Sequence, residues 1–165
     1  MQLDLRNIFN EEGSAFVVED DVDLSSVKVW GKHPFSQPIH VKAEAVNRAG
    51  VVTLTLSASF VLALTCDRCL AAFQRQFSPC FQHTVVRRLY GEDDGTFVVA
   101  EDGLVDGGEL FSADLQLELP SKILCREDCK GLCPQCGKNL NEGDCGCDRR
   151  VKDPRLQILD SFFSN

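Results

Sequence analysis

The chain has 165 residues, 44% hydrophobic and 25% charged. That fits one domain, or one domain with a small appendage, and is enough to bury a core without disulfide staples. The longest apolar run, Phe60 to Leu64, is five residues, against the about 20 of a membrane-spanning helix. The first residues, MQLDLRNIF, show no basic region followed by an apolar stretch, so membrane insertion and secretion are disfavoured and a cytoplasmic location is expected. A formal net charge of −8 repels phosphate and argues against a general nucleic-acid binder.

In chain order, Ala15-Phe16-Val17-Val18 predicts a strand and the acidic run at residues 19–23 a solvated loop. Val27 to Trp30 predicts a second short strand, closed by Gly31 and Pro34. The strongest pattern lies between Ile39 and Val86. Val41, Ala43 and Ala45 alternate with polar neighbours, and after a turn at residues 47–50 so do Val52, Leu54, Leu56, Ala58, Phe60, Leu62 and Leu64. Period two of this length marks strands with one wet face, long enough to bend or bulge near the middle. Phe73, Phe77, Phe81 and Val85 continue the pattern beyond Cys66 and Cys69, which places that cysteine pair at a hairpin tip.

Residues 91–109 hold seven acidic residues, five glycines and no Lys or Arg, which predicts a mobile acidic loop with an edge strand at Phe97-Val98-Val99. Residues 112–122 predict a helix with Ser112 as its cap, Asp114 beside the positive end and Leu115 and Leu119 on one face, ended or kinked by Pro120. Asp153-Pro154 opens a short C-terminal helix, with Leu156, Leu159 and Phe163 on its apolar stripe. The fold class expected is α+β and β-rich, an antiparallel meander or partly open barrel. It carries a C-terminal cysteine-rich zinc module and short helices. Residues 1–121 form the β domain and residues 122–165 the module, packed on the first domain through Cys66 and Cys69.

The nine cysteines are the unusual feature, with six of them between Cys125 and Cys147. In a reducing compartment, clustered cysteines read as metal ligands rather than disulfides, and an odd count fits a disulfide framework poorly. C-x-x-C turns, which aim two sulfurs at one ion, occur at Cys66/Cys69 and Cys133/Cys136. Cys125/Cys129 and Cys145/Cys147 add two more pairs, and Cys80 is left as a free thiol. Eight cysteines make two four-thiolate sites, with zinc as the ion; an iron–sulfur cluster is the alternative chemistry. Two groupings satisfy the count. One places Cys133, Cys136, Cys145 and Cys147 on one ion, as a single local loop, and Cys66, Cys69, Cys125 and Cys129 on the other. The second joins the two C-x-x-C turns in a zinc-ribbon manner.

No catalytic residue is assigned. His33, His40 and His83 are scattered, and the chain has no phosphate loop, dinucleotide fingerprint, GxSxG or HExxH. Charge is divided, −9 over residues 1–121 against +2 over residues 122–155. An anionic partner is therefore expected at the cysteine module, through Lys130, Lys138, Arg149, Arg150 and Lys152.

Cys66-Asp67-Arg68-Cys69-Leu70 with Phe73, then CREDCKGLCPQCGKNLNEGDCGC and DPRLQIL, resemble the YceD-like family. These are bacterial proteins with plastid relatives, required for accumulation of large-subunit ribosomal RNA. The resemblance covers residues 54–159 and extends to the acidic, leucine-rich, proline-ended segment at 114–120. It implies a non-enzymatic role in the synthesis, processing or stability of that RNA during ribosome biogenesis; the alternative readings of the cysteines are a metal- or thiol-dependent enzyme acting on that RNA, or an unrelated zinc adaptor. The implied partner is a ribosomal precursor, met through a ribosomal protein or the RNA, with no small-molecule substrate and no membrane. Members differ in cysteine content, which implies that metal stabilises the fold and is not the functional centre.

Overall fold

The computed structural model describes residues 1–91 and 95–148. It separates into two compact units, Met1–Leu64 with Gln74–Ser121, and Thr65–Phe73 with the described residues from Lys122 onward. The C-terminal helix expected from Asp153-Pro154 lies outside the described residues, as do Arg149, Arg150 and Lys152.

The first unit is built on the alternating segments. Strands β3 (Ile39–Arg48) and β4 (Val51–Ala58) are joined by Ala49 and Gly50. Their φ values of 51° and 81° give the two-residue turn whose twist matches paired strands. Val41, Ala43, Ala45, Val52, Leu54 and Leu56 are buried on one face, and Thr53, Thr55 and Ser57 lie on the other. Strands β2 (Ala15–Val22) and β7 (Cys80–Val86) flank this pair antiparallel. Strand β8 (Phe97–Val99) adds parallel to β7, giving the order β2-β3-β4-β7-β8.

The long hairpin that follows β4 is divided. Strands β5 (Phe60–Thr65) and β6 (Ala72–Phe77) form their own two-stranded sheet. The breaks fall at Ser59 and at Ser78-Pro79, where proline supplies no N–H; the Ala58 N–H donates to the Pro79 carbonyl at 3.2 Å. Burial continues across the break at Leu62 and Leu64. Phe60 stacks on Phe77 at 5.7 Å between ring centroids, and Phe35 meets Phe60 edge-on at 6.1 Å. The fold is β-rich with short helices, as the sequence predicts, and its sheets are open, the meander being taken rather than a barrel.

Helix α2 (Gly107–Glu118) starts five residues before the expected Ser112. Asp106, not Ser112, is its cap, accepting from the N–H groups of Gly108 and Glu109 at 3.0 Å. Gly107 and Gly108, read from sequence as loop, are its first turn, and both are buried. Both fit closely: a Cβ on Gly107 would lie 2.8 Å from Leu3 Cδ1 and displace it, and one on Gly108 would lie 3.1 Å from the Met1 nitrogen. The helix ends before Leu119, which takes the extended conformation that Pro120 imposes on its predecessor. Phe111 and Leu115 are buried, Phe111 edge-on to Phe81 at 5.7 Å. Asp114 pairs with His83 Nε2 at 2.7 Å instead of complementing the helix start.

The acidic region 91–109 is therefore no single loop. It holds β8 at the sheet edge, as expected for Phe97-Val98-Val99, then β9 (Leu104–Asp106) and the start of α2. Two N-terminal elements have no sequence counterpart above. Strand β1 (Gln2–Asp4) pairs with β9, and helix α1 (Arg6–Asn10) follows it. The acidic run is strand rather than loop, because Glu19 and Asp21 stand opposite Lys42 and His40. His40 lies 2.9 Å from Asp21 and 3.4 Å from Glu19, and these carboxylates, Asp21 first, raise its pKa. Val27 to Trp30 is not a strand. Val29 and Lys32 exchange backbone hydrogen bonds across a tight turn with φ 54° at Trp30 and 72° at Gly31, and the Trp30 indole donates to the Pro120 carbonyl at 2.7 Å. No helix among the described residues is long and apolar enough to cross a membrane.

Candidate metal centre

The second unit is organised by two knuckles with one hydrogen-bond pattern. In the first, the Leu70 N–H donates to the Cys66 carbonyl and the Cys66 N–H to the Ala71 carbonyl, both at 3.0 Å. In the second, Gly137 donates to Cys133 at 2.9 Å and Cys133 to Lys138 at 2.8 Å. The residue after each second cysteine is left-handed, with φ 58° at Leu70 and 73° at Gly137. Glycine takes that conformation freely, whereas a leucine pays about 1–2 kcal/mol for it. Leu70 is 65% exposed and gives up little burial. Leu70→Gly is therefore expected to raise stability by roughly 0.5–1 kcal/mol, seen as a higher denaturant midpoint at unchanged slope. A lower midpoint would show that the leucine side chain holds something the backbone argument omits.

The first knuckle is joined to the later cysteines by Asp67 and Arg68. The Asp67 N–H donates to the Ile123 carbonyl and Asp67 Oδ2 accepts from the Ile123 N–H, both at 2.7 Å. Arg68 Nη1 donates to the Cys129 carbonyl at 2.8 Å, and the Arg68 carbonyl accepts from Leu132 at 3.1 Å. Gly131 makes this approach with φ 75°, and a Cβ there would lie 3.1 Å from the Arg68 oxygen. The K-G-L step between Cys129 and Cys133 thus needs its glycine twice over, for conformation and for space.

These contacts bring Cys66, Cys69, Cys125 and Cys129 together, their sulfurs all within 4.8 Å of one another. Cys66 and Cys129 are 3.7 Å apart, as are Cys69 and Cys125. Four thiolates about 2.3 Å from one ion form a tetrahedron with edges of about 3.8 Å, whereas a disulfide needs about 2.05 Å. Cys66, Cys69 and Cys129 are buried, with Phe73, Leu124 and Leu132 packed against them. Cys133, Cys136, Cys145 and Cys147 form a second quartet under the same 4.8 Å limit, more open to solvent, with Cys136 exposed. The two quartets are those of the local-loop grouping, not the one that joins the two C-x-x-C turns. Each could hold a metal ion. Cys80 is exposed on β7 opposite Ser57 and belongs to neither.

The electrostatics show why a cation suits these sites. Burial pushes the Cys66 thiol up, but backbone N–H groups of Cys69, Cys125 and Arg68 outweigh it and bring it down to about 6. Cys125 is pushed up to about 12 by burial and by the sulfurs of Cys69, Cys129 and Cys66. In the second quartet, the N–H groups of Cys136 and Gln135 bring Cys133 to about 6, while the sulfurs of Cys136 and Cys145 push Cys147 to about 12. Each quartet thus holds at least one thiol poised to ionise and at least one that its neighbours keep protonated. A divalent cation removes that conflict, because it lets all four sulfurs ionise together.

Of the residues expected to meet an anionic partner, Lys130 and Lys138 are exposed, and Lys138 Nζ donates to the Asp144 carbonyl at 3.1 Å. Sequence reasoning missed Asn139 and Asn141, which sit beside the first quartet. Asn141 Nδ2 donates to Cys129 Sγ at 3.3 Å. Burial raises the Cys129 thiol, and this amide is first among the groups that bring it below its ordinary value. The signal available was the N-L-N step directly after the second knuckle.

No solved structure matches the chain. A protein of Arabidopsis thaliana, "Large ribosomal RNA subunit accumulation protein YCED homolog 1, chloroplastic", is 44% identical over 39 residues, 24% of this chain and 12% of that protein. An uncharacterised protein of Mycobacterium tuberculosis is 30% identical over 127 residues, 73% of this chain and 59% of its own length. One from Mycobacterium leprae is 30% identical over 107 residues, 62% of this chain and 48% of its own. The chain thus spans about half the length of the mycobacterial relatives. The family model described as "Large ribosomal RNA subunit accumulation protein YceD" matches residues 54–163, which include both cysteine quartets and more than half of the sequence, and the chain belongs to that family.

Proposed function

We propose that this chain is a non-enzymatic cytoplasmic factor that supports accumulation of large-subunit ribosomal RNA, with two structural zinc ions holding its cysteine module. The observation that carries the reading is the family match over residues 54–163, which spans all eight paired cysteines. Zinc is favoured over an iron–sulfur cluster by the 3.7 Å sulfur separations. These suit four ligands on one ion, while a four-iron cluster binds each sulfur to a different iron and spreads them wider. Cys66, Cys69, Cys125 and Cys129 would hold one ion, and Cys133, Cys136, Cys145 and Cys147 the other. With four thiolates each, neither ion keeps a position for substrate, and its contribution is to fix the chain. Residues 122–165, with the hairpin tip carrying Cys66 and Cys69, then act as one zinc-held module, and residues 1–121 as the β domain.

The module's cations are the proposed contact with the anionic surface of a ribosomal precursor. Depletion of the protein is expected to lower large-subunit ribosomal RNA relative to the small-subunit species, and an unchanged ratio would contradict the reading. Neutral replacements at Arg149, Arg150 and Lys152 are expected to weaken co-sedimentation with precursor particles. They should also flatten its salt dependence, since each lost phosphate contact removes roughly one unit of slope. Binding equal to the parent's at every salt concentration would move the contact to the acidic sheet and a basic ribosomal protein.

A further inference from the structure

Every hydrogen-bonding position on the Asn141 side chain is occupied. Its Oδ1 accepts from the Lys130 N–H at 2.8 Å and from Arg126 Nη2 at 2.7 Å. Its Nδ2 donates to Asn139 Oδ1 at 2.8 Å and to Cys129 Sγ at 3.3 Å. A carboxamide has two lone pairs and two N–H groups, so none is left over. The two ends cannot be exchanged, because the Lys130 N–H and the Arg126 guanidinium only donate. The amino end therefore faces the sulfur.

Asn139 is held just as firmly. Its Oδ1 also accepts from the Asn141 N–H at 3.1 Å, and its Nδ2 donates to Glu142 at 3.2 Å. It pairs with Leu132 across the base of the second knuckle, inside which the Cys133 N–H bonds the Lys138 carbonyl at 2.8 Å. A continuous path thus runs from the Cys133/Cys136 knuckle through Asn139 and Asn141 to Cys129, a ligand of the other quartet.

We propose that Asn141 is a positioning residue of the first quartet. Its amide orients the Cys129 thiolate toward the bound ion, and the second knuckle sets Asn141, so that loading the second quartet tightens the first. The proposal rests on the metal reading above. Groups in this position, bonded to a ligand rather than to the ion, typically change metal affinity 10–100-fold when replaced.

The test uses the full chain loaded with two equivalents of cadmium. Cadmium NMR resolves the two sites, assigned by coupling to cysteine β-protons, and a chelator measures release from each. N141D keeps the shape and the accepting Oδ1, but turns the amino group that donates to Cys129 and Asn139 into a carboxylate oxygen. It should move the first-site resonance and speed release from that site by roughly 10–100-fold. Replacing Cys145 and Cys147 by serine, which disables the second quartet, should also speed first-site release. If N141D does not fold, Arg126→Ala removes one of the two bonds holding Oδ1 from an exposed position and should move the same resonance. A first-site resonance and rate that neither variant alters would overturn the role of Asn141. First-site release unaffected by the serine pair would overturn the coupling. A parent protein with no thiolate-bound cadmium would overturn the proposal together with the metal reading.

Discussion

Removal of metal by a strong chelator under reducing conditions is expected to unfold the cysteine unit and leave the five-stranded sheet formed. The described part of that unit has little apolar interior of its own. Its buried hydrophobic residues are Cys66, Cys69, Cys129 and Cys133 with Ile123 and Leu140, so most of what it buries is sulfur. Without an ion, these sulfurs are crowded against each other and no disulfide replaces the missing bonds. Structural zinc supplies about 10–16 kcal/mol of apparent binding free energy in small fingers, more than a core of this size can offer. Strands β3, β4 and β7, by contrast, draw their buried residues from the first unit alone. Amide NMR should show residues 122–148 collapsing toward random-coil shifts while those strands keep their dispersion, and zinc should restore the spectrum. A cysteine unit whose resonances survive the chelator would mean that its fold does not depend on metal.

Leu56→Ala should carry a large cost in the sheet. Leu56 lies on the central strand β4, is 0% exposed, and stands between Ala43 of β3 and Phe81 of β7. Deleting its branched end leaves a cavity between neighbours held by hydrogen-bonded strands, which costs about 2–5 kcal/mol. Small domains have only about 5–15 kcal/mol in total, so the denaturant midpoint should fall far at unchanged slope. Thr55→Ala, one residue away on the opposite face, should stay within about 0.5 kcal/mol. Equal effects at the two positions would contradict the assignment of faces.

Much of this was readable wherever the signal was local. Strict alternation from Val52 to Leu64 identifies both the strands and the buried face, and its unusual length implies a bend or bulge near the middle, where the structure instead divides the run at Ser59 into strands of two sheets. What escaped depends on partners far along the chain. Strand β1 is three residues long and pairs with β9 about a hundred residues later, and nothing in its own composition announces that pairing. The start of α2 was hidden by Gly107 and Gly108, which are poor helix formers chosen for the space beside Leu3 and Met1. In sequence the acidic run reads as a loop because Lys42 and His40, which face it, lie on another strand.

The same division holds at the candidate site. The spacing of Cys133, Cys136, Cys145 and Cys147 suggests their grouping, since they are close in sequence. That Cys66 and Cys69 meet Cys125 and Cys129 depends on the bonds from Asp67 and Arg68 to Ile123, Cys129 and Leu132, which no spacing rule supplies. Asn141 was missed because an amide bonded to a ligand looks, in sequence, like any polar turn residue.

The most direct test of the metal account is the mass of the intact folded protein, purified under reducing conditions without added metal and measured by native mass spectrometry. Two zinc ions per chain, less the protons displaced from the thiols, are expected, with no absorption in the visible. A folded protein at its bare polypeptide mass, or a brown one carrying iron and sulfide, would contradict it.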